Sequence, residues 1–318
     1  MHIQLISPAK IDSRNGNRTT AVRWRNILQD LGHKVTVSQE YYGEDVDLML
    51  ALHAWRSASS IQLFAEKYPT RPLLVALTGT DVYRFLNTHK QDTLKSMEYA
   101  DRLIGLHAYI THSLPRQYQH KTRIIYQSTE TKLIRKTRHS NHFDVCIAGH
   151  LREEKDSLRP AYSVRSLPAH SRIQISHFGK AHSPKWEHKA RLEMARNKRY
   201  QWYGEISQSL LQVKFSQADL LILPSRMEGG ANIISEAIVA GLPIIASYIE
   251  GSIGLLGDKY AGYFEVENTK QIKQMLLRCE SDAKFYRTLI HQGKTLRYLF
   301  NPSREKSSWS KLLTELQK

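Results

Sequence analysis

The stretch PSRMEGGANIISEAIVAGLPIIAS, Pro224 to Ser247, sets Glu228 and Glu236 eight positions apart, with Gly229, Gly230, Ala231 and Asn232 following the first of them. An apolar run, ADLLILP, leads into it, and Gly241 with Pro243 supplies the stop for a helix that begins near Asn232. A strand, a Gly-Gly turn and a helix start in that order make an anion site. Glycine lets a backbone come close to a ligand, and the first helix amides have no partners of their own. Carboxylates beside phosphate would repel it, so their use is to accept hydrogen bonds from flanking sugar hydroxyls. The spacing therefore points to a nucleotide sugar. Taken singly, each glutamate also reads as a solvated loop or helix charge.

Three loops of the first half carry a different chemistry. Arg14, Asn15, Gly16, Asn17, Arg18 and Thr19 stand immediately before a helical pattern; ALHAWRSASS brings His53, Arg56 and a capping Ser57; LTGTDVYR brings Thr78, Gly79, Thr80 and Asp81. Arginines, hydroxyls and helix-start amides with a single carboxylate ask for a small anion. Each residue has a plainer reading: Ser57 and Asp81 as caps, His53 as a satisfied histidine at a strand end. Gly251 to Phe264, GSIGLLGDKYAGYF, reads as a flexible loop closing over a bound nucleotide sugar with Ser252 near phosphate, or as an ordinary surface loop.

These loops need elements to hold them. Short apolar runs alternate with amphipathic stretches, as strand-helix-strand units do. IQLIS, KVTVS, DLMLAL, PLLVAL, RLIGL and RIIY are the strands of the first half, and DVCIAG, RIQISHF, YQWYG, ADLLILP, PIIAS and YFEV those of the second. Continuous apolar runs suit parallel sheets covered on both faces. The basic stretch from Gln127 to His142 lacks an apolar period and reads as a linker. The expectation is an α/β chain of two doubly wound, Rossmann-like domains with a cleft between them: residues 1–138, 139–300, and a Ser-capped amphipathic helix over 301–318.

The 318 residues carry 46 Lys and Arg against 30 Asp and Glu, a formal charge of +16, which calls for an anionic partner or a basic solvated surface. A nucleic-acid-binding protein would need interleaved aromatics or a recognition motif, and neither is found. Cys146 and Cys279, the two cysteines, are far apart in apolar patterns and read as buried thiols. No metal motif, signal segment or membrane-length apolar run is found. The expected setting is cytoplasmic, with small-molecule substrates and with neither a metal, nucleic acid nor a membrane as partner.

The Glu228 to Pro243 pattern resembles the nucleotide-sugar site of the family 4 glycosyltransferases of GT-B fold. The resemblance implies that Glu236 binds ribose, that Glu228 and the backbone through Asn232 face the donor sugar and diphosphate, and that the last helix crosses back onto the first domain. It also gives IAGHLREEKD a role. The family has Gly-Arg-Leu and Glu-Lys-Gly there, with the Arg and Lys clamping the diphosphate; this chain has Gly149-His150-Leu151 and Glu154-Lys155-Asp156, with Arg152 near enough to supply the missing charge. Together with SRNGNRTTAVRW, TGTD, RMEGGAN and FYRTL, these segments resemble the selenosugar synthases of selenoneine biosynthesis. That implies transfer of N-acetylglucosamine from UDP-GlcNAc to the selenium of selenophosphate, and hand-off to other enzymes of that pathway. Lys155, Arg152 and Glu228 would stabilise charge and position the donor. An acceptor already anionic needs no base, with His53 or Asp81 as the alternative. The competing reading is a GT-B transferase with a hydroxyl acceptor.

Overall fold

The computed structural model describes residues 1–9, 16–130 and 141–316. Arg14, Asn15 and most of the expected linker, residues 131–140, lie outside them. Two six-stranded sheets form, every pairing within them parallel. The first contains β1 (His2–Ile6), β2 (Lys34–Ser38), β3 (Leu48–Leu52), β4 (Leu73–Leu77), β5 (Arg102–Gly105) and β6 (Thr122–Ile124), in the order β2-β1-β3-β4-β5-β6. The second contains β7 (Phe143–Ala148), β8 (Ile173–Phe178), β9 (Tyr200–Trp202), β10 (Leu220–Leu223), β11 (Ile244–Ser247) and β12 (Tyr263–Phe264), in the order β12-β11-β10-β7-β8-β9.

The apolar runs explain the layering. LMLAL and LLVAL, β3 and β4, are buried at all five positions, and their side chains alternate between two cores. Met49, Ala51, Val75 and Leu77 pack with Phe64 and Met97, whereas Leu48, Leu50, Leu52, Leu74 and Ala76 pack with Trp24, Leu28 and Trp309. A strand that must be apolar on both faces cannot show the alternation of a half-exposed one.

The chain separates into two compact units. Unit 1 is Met1–Ser128, Glu228–Asn232 and Leu299–Lys318; unit 2 is Thr129–Met227 and Ile233–Tyr298. The helix Pro302–Glu315, capped by the Asn301 side chain accepting from the Ser303 amide at 2.9 Å and not by a serine as expected, belongs to unit 1, where Trp309, Leu312 and Leu313 are buried among residues of β1, β3 and β4. Each sheet has one topological switch point, between β1 and β3 in unit 1 and between β7 and β10 in unit 2. Ligands of doubly wound sheets sit beyond the strand carboxyl ends at such points. Both cysteines are buried free thiols. No helix of the described residues is long and apolar enough to cross a membrane.

Two further local expectations fail. The segment from Gly251 is no flexible loop: Glu250–Leu256 is helical with Gly251 through Leu256 buried, followed by a turn into β12. Its glycines are spaced among Ile253, Leu255 and Leu256, whose burial holds the turn of helix in place. The first-half anion loop also ends earlier than expected, because the helix Gly16–Asp30 takes Gly16, Asn17, Arg18 and Thr19 into its first turn. Nothing after Gly16 interrupts a helix, so winding starts there rather than after Thr19.

Candidate functional site

In unit 2 the turn after β7 is fixed from below. His177, fully buried on β8, has Nδ1 2.8 Å from the Tyr200 hydroxyl and Nε2 2.8 Å from the Gly149 carbonyl. Burial pushes its pKa down to about 4, so the ring is neutral; Nε2–H donates to the carbonyl and Nδ1 accepts from the hydroxyl. Gly179 lies so close to Gly149 that a Cβ there, at φ +152°, would overlap its carbonyl. After a short 3-10 turn, Glu153–Lys155, Asp156 takes φ 42° and ψ 34°, the left-handed conformation that the family's glycine adopts easily and Asp tolerates. Its carboxylate is held by Arg159 Nε at 2.7 Å. The departure from Glu-Lys-Gly thus preserves the turn.

Cations converge on this turn. Burial first, then the charges of Arg152, His182, Lys155 and Lys180, push the His150 pKa down to about 4. Arg152 Nε is buried with no hydrogen-bond partner, its nearest carboxylate being Glu154 at 4.0 Å. Glu236, in the helix Asn232–Ala240, and Ser252 are buried as well, and the Ser252 hydroxyl has no partner. A multiply charged anion fits the cations of this turn.

In unit 1 Asp81 is fully buried. Its Oδ2 accepts from the Ala54 and Thr78 amides at 3.1 and 3.0 Å, and its Oδ1 from those of Gly79 and Val82 at 2.8 and 3.1 Å. His53, at φ 76°, accepts from the Arg56 amide on Nδ1 at 3.2 Å, which leaves Nε2–H for Thr80 Oγ1 at 3.0 Å. Burial lowers its pKa against the raising effect of Asp81. Both groups are thus engaged in joining the loops after β3 and β4. Ser57 does not cap its helix; its hydroxyl donates to the Leu52 carbonyl at 2.7 Å. Arg56 is exposed, its guanidinium carbon 5.8 Å from the Trp55 and Phe85 ring centroids.

The glycines after β10 meet protein. A Cβ on Gly229 would overlap the Thr78 and Gly79 backbone, one on Gly79 would overlap Gly229, and one on Gly230 would overlap Leu106. Glu228 and Ala231 are buried beside them, and Asn232 Oδ1 accepts from Arg23 Nη1 at 3.0 Å. Backbone approach was the expectation for Gly229 and Gly230; it is realised against unit 1's own chain.

Three residues escaped the sequence reading. Lys180 and His182 follow β8 and join the cation cluster, and His107 follows β5, buried, with Nε2 3.1 Å from the Tyr83 hydroxyl and Nδ1 without a partner. The available signal was position, each standing just beyond a strand's carboxyl end. Among the described residues no group of three or more His, Cys, Asp or Glu is placed to hold a metal.

The family described as glycosyl transferases group 1 matches residues 129–296, just over half of the chain. The chain belongs to that family. Solved structures similar to this glycosyl transferase include sucrose-phosphate synthase from Thermosynechococcus elongatus, with TM-score 0.83 at 16% identity over 99% of this chain and 98% of that one. HepE from Anabaena in complex with UDP aligns with TM-score 0.79 at 14% identity over 99% of each chain. A glycosyltransferase from Rickettsia africae aligns with TM-score 0.78 at 15% identity over 100% of this chain and 98% of that one. The fold of the transferase is GT-B, two parallel six-stranded sheets flanked by helices. No curated protein matches its sequence.

Proposed function

We propose that this glycosyl transferase moves N-acetylglucosamine from its uridine diphosphate carrier to the selenium of selenophosphate. The donor half of this reading is supported by the cation cluster around His150, after β7 at the edge of the unit 2 switch point, whose charge suits a leaving diphosphate. The acceptor half is supported by the resemblance of the sequence segments alone. HepE of Anabaena, similar in fold, is known in complexes with UDP and with UDP-glucose. In this reading Arg152, Lys155 and the neutral His150 N–H hold the diphosphate of the donor. Glu236 accepts from ribose hydroxyls, Glu228 and the backbone through Asn232 face the sugar, and Ser252 gives its hydroxyl to phosphate. Metal is not required, since the cations supply the charge.

The acceptor falls to unit 1, to Arg18, Arg56, the helix start at Gly16–Thr19 and the hydroxyls of Thr78 and Thr80, with Arg14 and Asn15 beyond the described residues. Selenium attacks the anomeric carbon, the bond from that carbon to diphosphate oxygen breaks with its electron pair, and UDP departs. Water then cleaves the phosphorus–selenium bond to leave phosphate and the seleno-sugar. Asp81 and His53 are engaged with the chain. A nucleophile that is already an anion asks neither to act as a base. The product would pass, in the cytoplasm, to a following enzyme of selenoneine synthesis.

The purified protein with UDP-GlcNAc is tested against selenophosphate, thiophosphate, phosphate and a saccharide alcohol in parallel, with mass spectrometry of the products. The expected result is UDP release with carbon–selenium bond formation, slower turnover of thiophosphate and none of phosphate. Turnover of the alcohol alone removes the acceptor assignment and leaves the donor; UDP that does not bind removes the donor assignment.

A further inference from the structure

The loop after β8 is zipped to the turn after β7. Lys180 N–H donates to His150 Nδ1 at 3.0 Å, Leu151 N–H to the Lys180 carbonyl at 2.9 Å, and His182 N–H to the Leu151 carbonyl at 3.1 Å. This brings the His182 ring to 5.7 Å from that of His150, centroid to centroid. The two histidines are not equivalent. His150 Nδ1 already accepts from a backbone amide, so its one proton resides on Nε2, and a second at Nδ1 would set two donors against each other. His182 has no such bond to either ring nitrogen among the described residues. It is faced by Arg152 and Glu154 from the turn after β7, by Lys180 of its own loop and by the His150 ring. Burial, Arg152 and Lys180 hold it below the ordinary histidine range while Glu154 opposes them. Anionic phosphate among these cations would reverse the local field and favour the charged ring.

We propose that Lys180 and His182 complete the diphosphate cradle, and that a nucleoside diphosphate binding there draws a proton onto His182 while His150 stays neutral as an Nε2–H donor. The proposal rests on the assignment of the donor to the cation cluster of unit 2. Because the anion and the proton then bind together, each strengthens the other's hold.

The test is calorimetry of UDP binding near neutral pH in buffers of different ionisation heat. For the wild type the observed heat should rise with the buffer's ionisation heat, with the sign of proton uptake. His182→Gln should lose that slope or reduce it to whatever the ligand itself contributes, whereas His150→Gln should keep it. Lys180→Ala should weaken UDP about tenfold and retain the slope. NMR titration of the His182 ring in the wild-type protein, with and without UDP, reads the same event without a substitution and should show the bound pKa raised. Equal slopes in wild type and His182→Gln, or a His182 titration unmoved by UDP, overturn the proposal and leave the donor assignment standing. UDP that does not bind at all overturns both.

Discussion

Asp81 shows how much one buried carboxylate can hold. Four backbone amides from two loops end on its two oxygens. Asp81→Ala leaves those donors buried and unpaired, so unit 1 should lose about 3 kcal/mol or more in urea denaturation. The same measurement separates brace from base, because a pure base would cost turnover and leave stability alone. Glu193 does similar work in unit 2. It is fully buried and accepts from Arg165 Nε at 2.8 Å, Arg165 Nη2, Arg196 Nε at 2.8 Å and Asn197 Nδ2 at 3.1 Å. Burial would raise its pKa, but the hydrogen bonds from Arg165, Arg196 and Asn197 outweigh burial and bring it to about 2 from the ordinary 4.5. A depressed carboxylate stabilises the fold above its unfolded pKa and ceases to as pH falls through the folded one. Glu193→Gln should therefore destabilise unit 2 by about 2 kcal/mol near neutral pH. That difference should shrink between pH 4.5 and pH 2 when the two proteins are unfolded side by side.

Between Thr269–Ser281 and Ala283–Leu296 a single residue separates two helices. Asp282 closes the first with its backbone amide and opens the second with its side chain, Oδ1 accepting from Lys284 and Phe285 at 3.0 and 2.9 Å. Asp282→Ala should lower stability by about 1 kcal/mol, the size of a lost helix cap, with the heat-unfolding midpoint as the readout. This joint also shows why some of the fold was hidden. The central strands β3 and β4 were legible as unbroken apolar runs because both their faces are buried, whereas the outer strands β2 and β9 leave positions exposed and mix polar residues in. The second helix had no glycine or proline to announce it, and its one boundary residue does two jobs. Of the candidate site, the turn at Gly229 and Gly230 and the helix that starts at Asn232 were legible through their local chemistry. Lys180 and His182 were not, because only the parallel register of β7 and β8 sets HFGKAH against GHLRE. The glycines at 229 and 230 were legible as sites of close approach, but which chain would approach them is a tertiary fact.

Unit 1 is stitched at its last helix. Trp309 is fully buried with its ring centroid 4.9 Å from that of Trp24, edge to face. Glu305, buried on the same helix, accepts Trp24 Nε1–H at 2.7 Å on one oxygen and the Ser128 amide and hydroxyl at 2.7 and 2.5 Å on the other. Trp309→Ala should cost unit 1 about 3–5 kcal/mol, seen as a separate, earlier unfolding step in calorimetry. The same stitch imposes an order on synthesis. The core around β1 and the helix Gly16–Asp30 needs residues beyond Pro302, whereas the strands of unit 2 all lie between Thr129 and Tyr298. At ordinary ribosomal speed the first half waits on the order of ten seconds or more for its closing piece. During that wait Trp24 has no partner ring, and Ser128 has no carboxylate to hold it. Nascent chains halted before Pro302 should be cut by protease in their first half while the second resists, so the part of the protein made first is the part finished last.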